Sequence, residues 1–513
     1  MSIQSKFGIP VALSILLEGE DVAPYRDVTV SLCGSNPSEP LPNGLYVCGA
    51  DSADAALAGL KAAKASGAEA AVVSNDFEAA LAPELDAGNN LESETGFQTI
   101  FVDDPRSVYA RACQAFYGFP GKKLKLIGIT GTAGKSSLSY ILGGVLAQAG
   151  QKIGLIGSLG VYDGEKFSPL AETTPKPEDL AVLLQKMVDA GCVCALVEVS
   201  SLALEEKRIA GLEFDAVCLT NLRRDHLDIH RTVNQYRRVK MQIFSYLKST
   251  GVAICNVDDR VTDAALHLIT QPTLTVGIQP TQCDVSGTPV ERNASGQTFY
   301  IVAGSDACPI HTNIVGKEHM YNCLEAAALA IAWNIDLKVA ARGIERVSYI
   351  PGRMERIDCG QPFGVYLDRA NSPESLTAAL ETLKRVSTGS LYCVLASPED
   401  RDRSKRPLVG RAAETNADYT IVTSGNNLES QKEEAFEDVL RGFEKPEKVN
   451  VIKNRADAIV WALSHASPDD SVLIVGQDVC TVGDVNVNFV PDREFIKHWL
   501  YENQPCVETF WYN

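Results

Sequence analysis

The segment Gly128-Ile-Thr-Gly131-Thr-Ala-Gly134-Lys135-Ser136-Ser137 has residue types suited to holding phosphate. Glycines let backbone N–H groups close on phosphate oxygens, and a helix starting at such a turn offers further N–H groups to an anion. Lys135 would reach the terminal phosphates and Ser136 would ligate Mg²⁺, with Gly131, Thr132, Gly134 and Ser137 completing the loop. The glycines fall as GxxGxxGK, which departs from the general phosphate-loop spacing because position 129 is Ile. An ordinary strand-to-helix turn is the plainer alternative. Three glycines followed by Lys-Ser between a strand and a helix argue against it.

Three further clusters lie downstream. Glu198-Val-Ser200-Ser201 falls at the C-terminal end of an apolar run, where ligands of open α/β sheets gather. A carboxylate there would hold Mg²⁺ opposite the phosphates, although a strand-end Glu is often only solvated. Thr220-Asn-Leu-Arg-Arg-Asp225-His226-Leu-Asp228-Ile-His230 gathers acidic, imidazole and guanidinium groups after another strand. It reads as a metal and nucleotide site, with a charged surface run as the alternative. Lys240 follows on a helix and by itself reads as a surface lysine. Candidate anion partners are Arg353, Arg356, Arg401, Arg403, Lys405 and Arg406, since guanidinium forks suit carboxylates and phosphates.

Elements must position these groups. With 513 residues, the chain suggests about three domains at roughly 100–200 residues each. We expect an α/β fold with an N-terminal α/β domain over 1–120, a central P-loop-type domain over 121–350 and a C-terminal Rossmann-like domain over 351–513. Apolar strand-like runs at 124–130, 194–199, 215–220 and 252–256 alternate with helical patterns at 136–149, 232–248 and 261–269. That alternation predicts a mostly parallel sheet with helices on both faces. Short alternating segments over 281–315 predict an antiparallel extension, and a helix over 318–333 closes the domain. Tyr349-Ile-Pro-Gly-Arg353 reads as a hinge. Strands at 364–368, 391–396, 418–423 and 471–475 then alternate with helices at 373–386, 407–415 and 453–465.

Composition sets outer limits. A net charge of -18 disfavours nucleic acid, which would want a basic face. No apolar run approaches the ~18 residues needed to span a bilayer, and the start lacks signal-peptide features, so a cytoplasmic protein is expected. The 14 cysteines are scattered, several within strand-like runs. They read as buried reduced thiols rather than zinc ligands.

Taken together, these segments resemble the Mur ligases, most closely the MurE type that extends a UDP-N-acetylmuramoyl-dipeptide with an amino acid. The resemblance runs through GITGTAGKSS (128–137), ETTP (172–175), EVSS (198–201), TNLRRDHLDIH (220–230), YRRVKMQIF (236–244), YN (321–322), PGRMERID (351–358) and DRDRSKRPLVG (400–410). The last two favour the MurE branch, and the N-terminal domain matches weakly. The resemblance implies a uridine-nucleotide domain, an ATP domain and an amino-acid domain in that order. It implies ATP and Mg²⁺ as cofactors, an acyl-phosphate intermediate, a monomer, and no nucleic-acid or membrane partner. Ser136, Glu198 and His226 would serve the metals, and Lys240 aligns with a carbamylated lysine that adds an anionic ligand. Asn322, Arg353 and Asp368 match ATP-contacting positions. Thr173, Thr174, Ser200 and Arg401 fall at the acceptor and amino-acid side.

The amino-acid end departs from the family. Where a DNPR motif is usual the chain has Gly425-Asn-Asn-Leu428, and GKGHE is replaced by Gly476-Gln-Asp-Val-Cys480. DYAHTP has become Asp368-Arg-Ala-Asn-Ser-Pro373, the His usual after EVSS is Leu202, and two family asparagines are Ala133 and His319. Three readings stay open: an active ligase using other residues for the amino acid, a nucleotide-binding paralogue without catalysis, and a Mur-type ligase with another substrate.

Overall fold

The computed structural model describes residues 2–4, 11–16, 29–86, 98–278, 283–396, 403–423, 429–445, 449–476, 479–482 and 488–503. Arg401 and the segment 425–428 lie outside the described residues.

Alternation of apolar side chains builds the central layer. Along Lys125–Thr130, Ile127 and Ile129 enter one core while Leu126 enters the other, and the neighbouring strands Cys194–Glu198 and Phe214–Leu219 repeat this division. Strands buried on both faces carry near-continuous apolar sequence, as these do. Cysteines on these strands and on the strand Leu247–Asn256 are free thiols, and burial pushes Cys194 and Cys255 up to about 12.

The central sheet has 11 strands. Its middle runs parallel in the order Ile153–Gly157, Cys194–Glu198, Lys125–Thr130, Phe214–Leu219, Leu247–Asn256, Thr273–Gly277 and Val285–Asn293. Antiparallel strands Gly296–Ala303 and Asp306–Thr312 extend one side, as the alternation over 281–315 predicted. The chain enters the sheet at Lys125–Thr130, moves outward on one side, then crosses to Phe214–Leu219 on the other. The C-terminal end of Lys125–Thr130 is therefore a topological switch point, where a crevice opens.

A 5-stranded sheet precedes this layer and a 6-stranded sheet follows it, each mostly parallel with an antiparallel edge strand. In the last sheet, Gly364–Asp368 pairs with Ser471–Val475 and ends at Asp368. The helix expected over 232–248 is shorter than predicted. Regular helix stops at Met241, Gln242–Tyr246 tightens to 3₁₀, and Leu247 already pairs with Phe214. Ile243, Phe244 and Leu247 are buried in the same core; pairing with the sheet overrides the helical pattern.

The helix after the loop, Lys135–Gln148, carries Leu138, Ile141, Leu142, Val145 and Leu146 into the core at helical spacing. It crosses Leu337–Glu345 where Gly144 and Gly343 meet: a Cβ on Gly144 would lie 3.0 Å from Gly343 O, and one on Gly343 would strike the backbone of Val145. Since backbone cannot move aside cheaply, Gly343→Ala should lower stability by about 1–3 kcal/mol, read as a fall in Tm. An unchanged Tm would show that the two helices can separate at no cost.

Candidate functional site

Lys135–Gln148 begins at the switch point, with Gly134 as its N-cap at φ 90. A Cβ at Gly134 would meet Asn322 Oδ1 at 2.6 Å, so both the left-handed backbone and the close approach require glycine. Gly131, at φ 146, leaves room for Thr220 Oγ1 in the same way. The loop is clamped from the neighbouring strand end. Asn221 Oδ1 accepts from Ala133 N–H at 3.0 Å, Asn221 Nδ2 donates to Ala133 O at 3.1 Å, and Thr220 Oγ1 donates to the same carbonyl at 2.6 Å. Tyr236, fully buried, places its hydroxyl 3.0 Å from Thr132 Oγ1.

A cavity of about 430 Å³ opens over this loop. Thr132, Gly134, Lys135, Ser136 and Ser137 form its floor. Thr173, His226 and Asn322 line it from the central unit, and Arg353 and Asp368 close it from the C-terminal side. Lys135 Nζ donates to Gly131 O at 3.0 Å and Thr132 O at 3.2 Å within its own loop. Burial lowers the pKa of this ammonium, with Glu198 and Asp225 opposing. Asp368 Oδ2 accepts from Met354 N–H at 2.8 Å, tying the strand end to the hinge.

Glu198 is wholly buried beside the loop. Its Oε2 accepts from Ser136 Oγ at 3.0 Å and Ser158 Oγ at 3.1 Å, while Oε1 has no hydrogen-bond partner among the described residues. Burial raises its pKa, and Lys135 and Ser136 oppose the rise. A Cβ at Gly157 would collide with this carboxylate. An orphaned carboxylate oxygen beside a hydroxyl, at the edge of a phosphate-type loop, fits a hard divalent cation such as Mg²⁺. Among the described residues no cluster of three or more His, Cys, Asp or Glu is placed to hold a metal. His226 lines the cavity, while buried Glu198 is linked to it through Ser136.

The remaining expected residues divide. Thr173 Oγ1 lies 3.0 Å from Ser158 Oγ at the cavity wall. Thr174 is buried, and its hydroxyl bridges Glu198 O at 2.8 Å and Ser200 N–H at 3.0 Å, pinning its loop to the strand end. Ser200 Oγ caps the following helix through Ala203 N–H at 3.1 Å. Buried Arg208 grips the same loop through Glu172 and Thr174 O.

Lys240 corrects the reading of a surface lysine. It is 2% exposed, behind the loop, with Nζ donating to Gly131 O at 2.8 Å and Thr130 Oγ1 at 3.3 Å. Burial holds its pKa well below the lysine range, and Lys135 adds to the effect. Arg403 and Arg406 are not aimed at a ligand either: both reach Asp438 Oδ2 within their own unit, at 3.3 and 3.2 Å. His319, where the family has Asn, is buried against Thr312 Oγ1 at 2.9 Å, and burial lowers its pKa to about 3, leaving it neutral.

Asn221, Tyr236 and Ser158 support the site without having been singled out as site residues. Asn221 and Tyr236 lie inside quoted motifs, and Ser158 directly follows a buried strand, but clamping of one loop by another leaves no spacing signature.

This arrangement, a glycine-rich cradle at the switch point of a parallel sheet, defines a phosphate-loop nucleotide-binding protein. Residues 129–330 match the Mur ligase middle domain, and 352–477 match the Mur ligase, glutamate ligase domain. The UDP-N-acetylmuramoyl-L-alanyl-D-glutamate–2,6-diaminopimelate ligase of Geobacillus thermodenitrificans is 36% identical over 76% of this chain and 82% of its own length. Its counterpart in Caldanaerobacter subterraneus is 32% identical over 80% and 85%. A solved structure of a ligase of that name superimposes with TM-score 0.68 over 96% of this chain and 99% of its own, at 22% identity, a likeness of fold. The chain belongs to the Mur ligase family, whose members are ATP-dependent ligases. No helix among the described residues is long and apolar enough to cross a membrane.

Lys240 yields a stability test. Its folded-state pKa is depressed by burial, so this amine opposes folding at pH values below the ordinary lysine range, neutral pH included. Lys240→Met should raise stability at neutral pH by about 0.5–2 kcal/mol, with the advantage shrinking as pH nears the ordinary lysine range. A Tm that falls at neutral pH would contradict this account.

Proposed function

We propose that this chain is an ATP-dependent ligase that joins an amino acid to UDP-N-acetylmuramoyl-dipeptide through an acyl phosphate, in peptidoglycan precursor synthesis. The observation that carries this reading is the pair Lys135 and Ser136 at the floor of a cavity closed by Arg353 and Asp368 from the C-terminal side, with buried Glu198 hydrogen-bonded to Ser136 Oγ. The proposed division of labour gives residues 1–120 the uridine nucleotide, 121–350 ATP and 351–513 the amino acid. The proposed setting is the cytoplasm, with the chain acting as a monomer.

The chemistry must bring a carboxylate to a triphosphate, both anionic. Lys135 would turn from its loop carbonyls to the terminal phosphates, and the loop N–H groups would hold the phosphate chain in line. Mg²⁺, held by Glu198 and Ser136, would supply Lewis-acid neutralisation of the transferring group. Asn322, Arg353 and Asp368 would orient the nucleotide. Thr173, with its hydroxyl 3.0 Å from Ser158 Oγ, would face the acceptor. Burial lowers the pKa of Lys240 and so favours the neutral amine, the form that would add CO₂: its nitrogen would bond the carbon and release a proton. The resulting carbamate would give the site an anionic ligand where the sequence has a lysine.

Supplied with UDP-N-acetylmuramoyl-L-alanyl-D-glutamate, ATP, Mg²⁺ and a panel of amino acids, the protein should release phosphate only with its own amino acid. Lys135→Ala should cut that rate by at least about 100-fold. Full turnover in that variant would remove the phosphate loop from the chemistry. ATP binding without release for any amino acid would favour the non-catalytic reading. Depleting CO₂ from the buffer should slow turnover and bicarbonate should restore it; indifference to both would dismiss the carbamate.

A further inference from the structure

Lys405 belongs to the short segment Arg403–Lys405 that leads into the helix Arg406–Asn416 of the C-terminal sheet, yet its side chain leaves that unit. Its ammonium lies 2.5 Å from Asp225 Oδ1 of the central unit, with side-chain exposures of 3% and 11%. The basic residues beside it behave differently. Arg403 and Arg406 converge on Asp438 inside their own unit, anchoring the segment from which Lys405 projects. On the far side, Asp225 Oδ1 also accepts from His226 N–H at 3.0 Å, and Oδ2 lies 3.6 Å from His226 Nε2. His226 occupies the left-handed region at φ 49, an uncommon setting for a non-glycine residue. Its ring lines the cavity, 6.2 Å from the Tyr236 ring that also braces the phosphate loop.

A buried carboxylate stripped of its cation takes up another partner or pulls its segment towards water. The nearest candidate in this structure is the His226 imidazole. We infer that Lys405 is a positioning residue of the nucleotide site: by holding Asp225 it sets where His226 stands, so the site is complete only while the C-terminal unit is docked. The inference deepens the ligase reading and rests on it for its kinetic test. It makes the unit proposed to bring the amino acid responsible for one wall of the phosphoryl-transfer site.

Four variants test it: Lys405→Met, Lys405→Arg, Asp225→Asn and the double Lys405→Met/Asp225→Asn. Phosphate release, equilibrium binding of ADP and Tm would be measured on the full chain. Lys405→Met should lower kcat by about 10–100-fold, the range for partners that orient a first ligand, while ADP affinity stays within about threefold. Lys405→Arg, which keeps the charge, should recover most of the loss. The double variant should fall no further than Lys405→Met, because both changes break one coupled unit. Simple adhesion between units would lower Tm and leave kcat at saturating substrate intact. That outcome, additive losses, or failure of Lys405→Arg to exceed Lys405→Met would overturn the inference. If the wild-type protein releases no phosphate with any amino acid, the ligase reading fails by itself. The radius of gyration by X-ray scattering then decides the latch: expansion in Lys405→Met supports it, and an unchanged radius refutes it.

Discussion

The contact between Glu198 and Ser136 governs the rest of the site. One carboxylate oxygen is held by two serine hydroxyls and the other is buried without a partner among the described residues. Such a group is costly to bury unless a cation joins it. The surroundings are arranged to tolerate it: Gly157 clears the space, Lys135 supplies positive charge, and Thr174 ties the strand end in place. In a chain of net charge -18, phosphate binding cannot rely on a diffuse basic field. It depends on a few cations in one enclosed place, with their orientation set by neighbouring strand ends.

Much of this is legible in the amino-acid sequence. A glycine-rich loop between an apolar strand and a helix has a backbone reason for its composition, and the positive φ values at Gly131 and Gly134 bear that reason out. The parallel sheet followed from alternating elements, and several C-terminal strands and helices fall where the pattern put them, among them Gly364–Asp368, Pro373–Val386 and Ser471–Val475.

What stayed hidden shares a cause. Lys240 looks like any lysine on a polar helix, because nothing local says that the phosphate-loop strand will cover it. Arg403 and Arg406 look like ligand-binding groups, because their partner Asp438 lies on another helix. The same holds for Lys405 and Asp225, which are far apart in sequence and adjacent in space. Periodicity reports which face of an element is buried; it does not report which charge meets which. The shortened helix at Met241 is a related case, since its apolar residues fit either a continued helix or a strand entry, and only the bond to Phe214 chooses.

The placement of Lys125–Thr130 at the middle of its sheet also orders events during synthesis. Both flanking strands, Cys194–Glu198 and Phe214–Leu219, leave the ribosome later, and Asn322, which packs on Gly134, later still. The first sheet can close on its own as the chain emerges, since its strands are near neighbours in sequence. The nucleotide cradle cannot, because loop closure over such separations is slow and its contacts are made by residues not yet translated. For that interval the nascent chain carries a glycine-rich anion loop with no walls, and a helper that shields exposed apolar strands would have its greatest effect there.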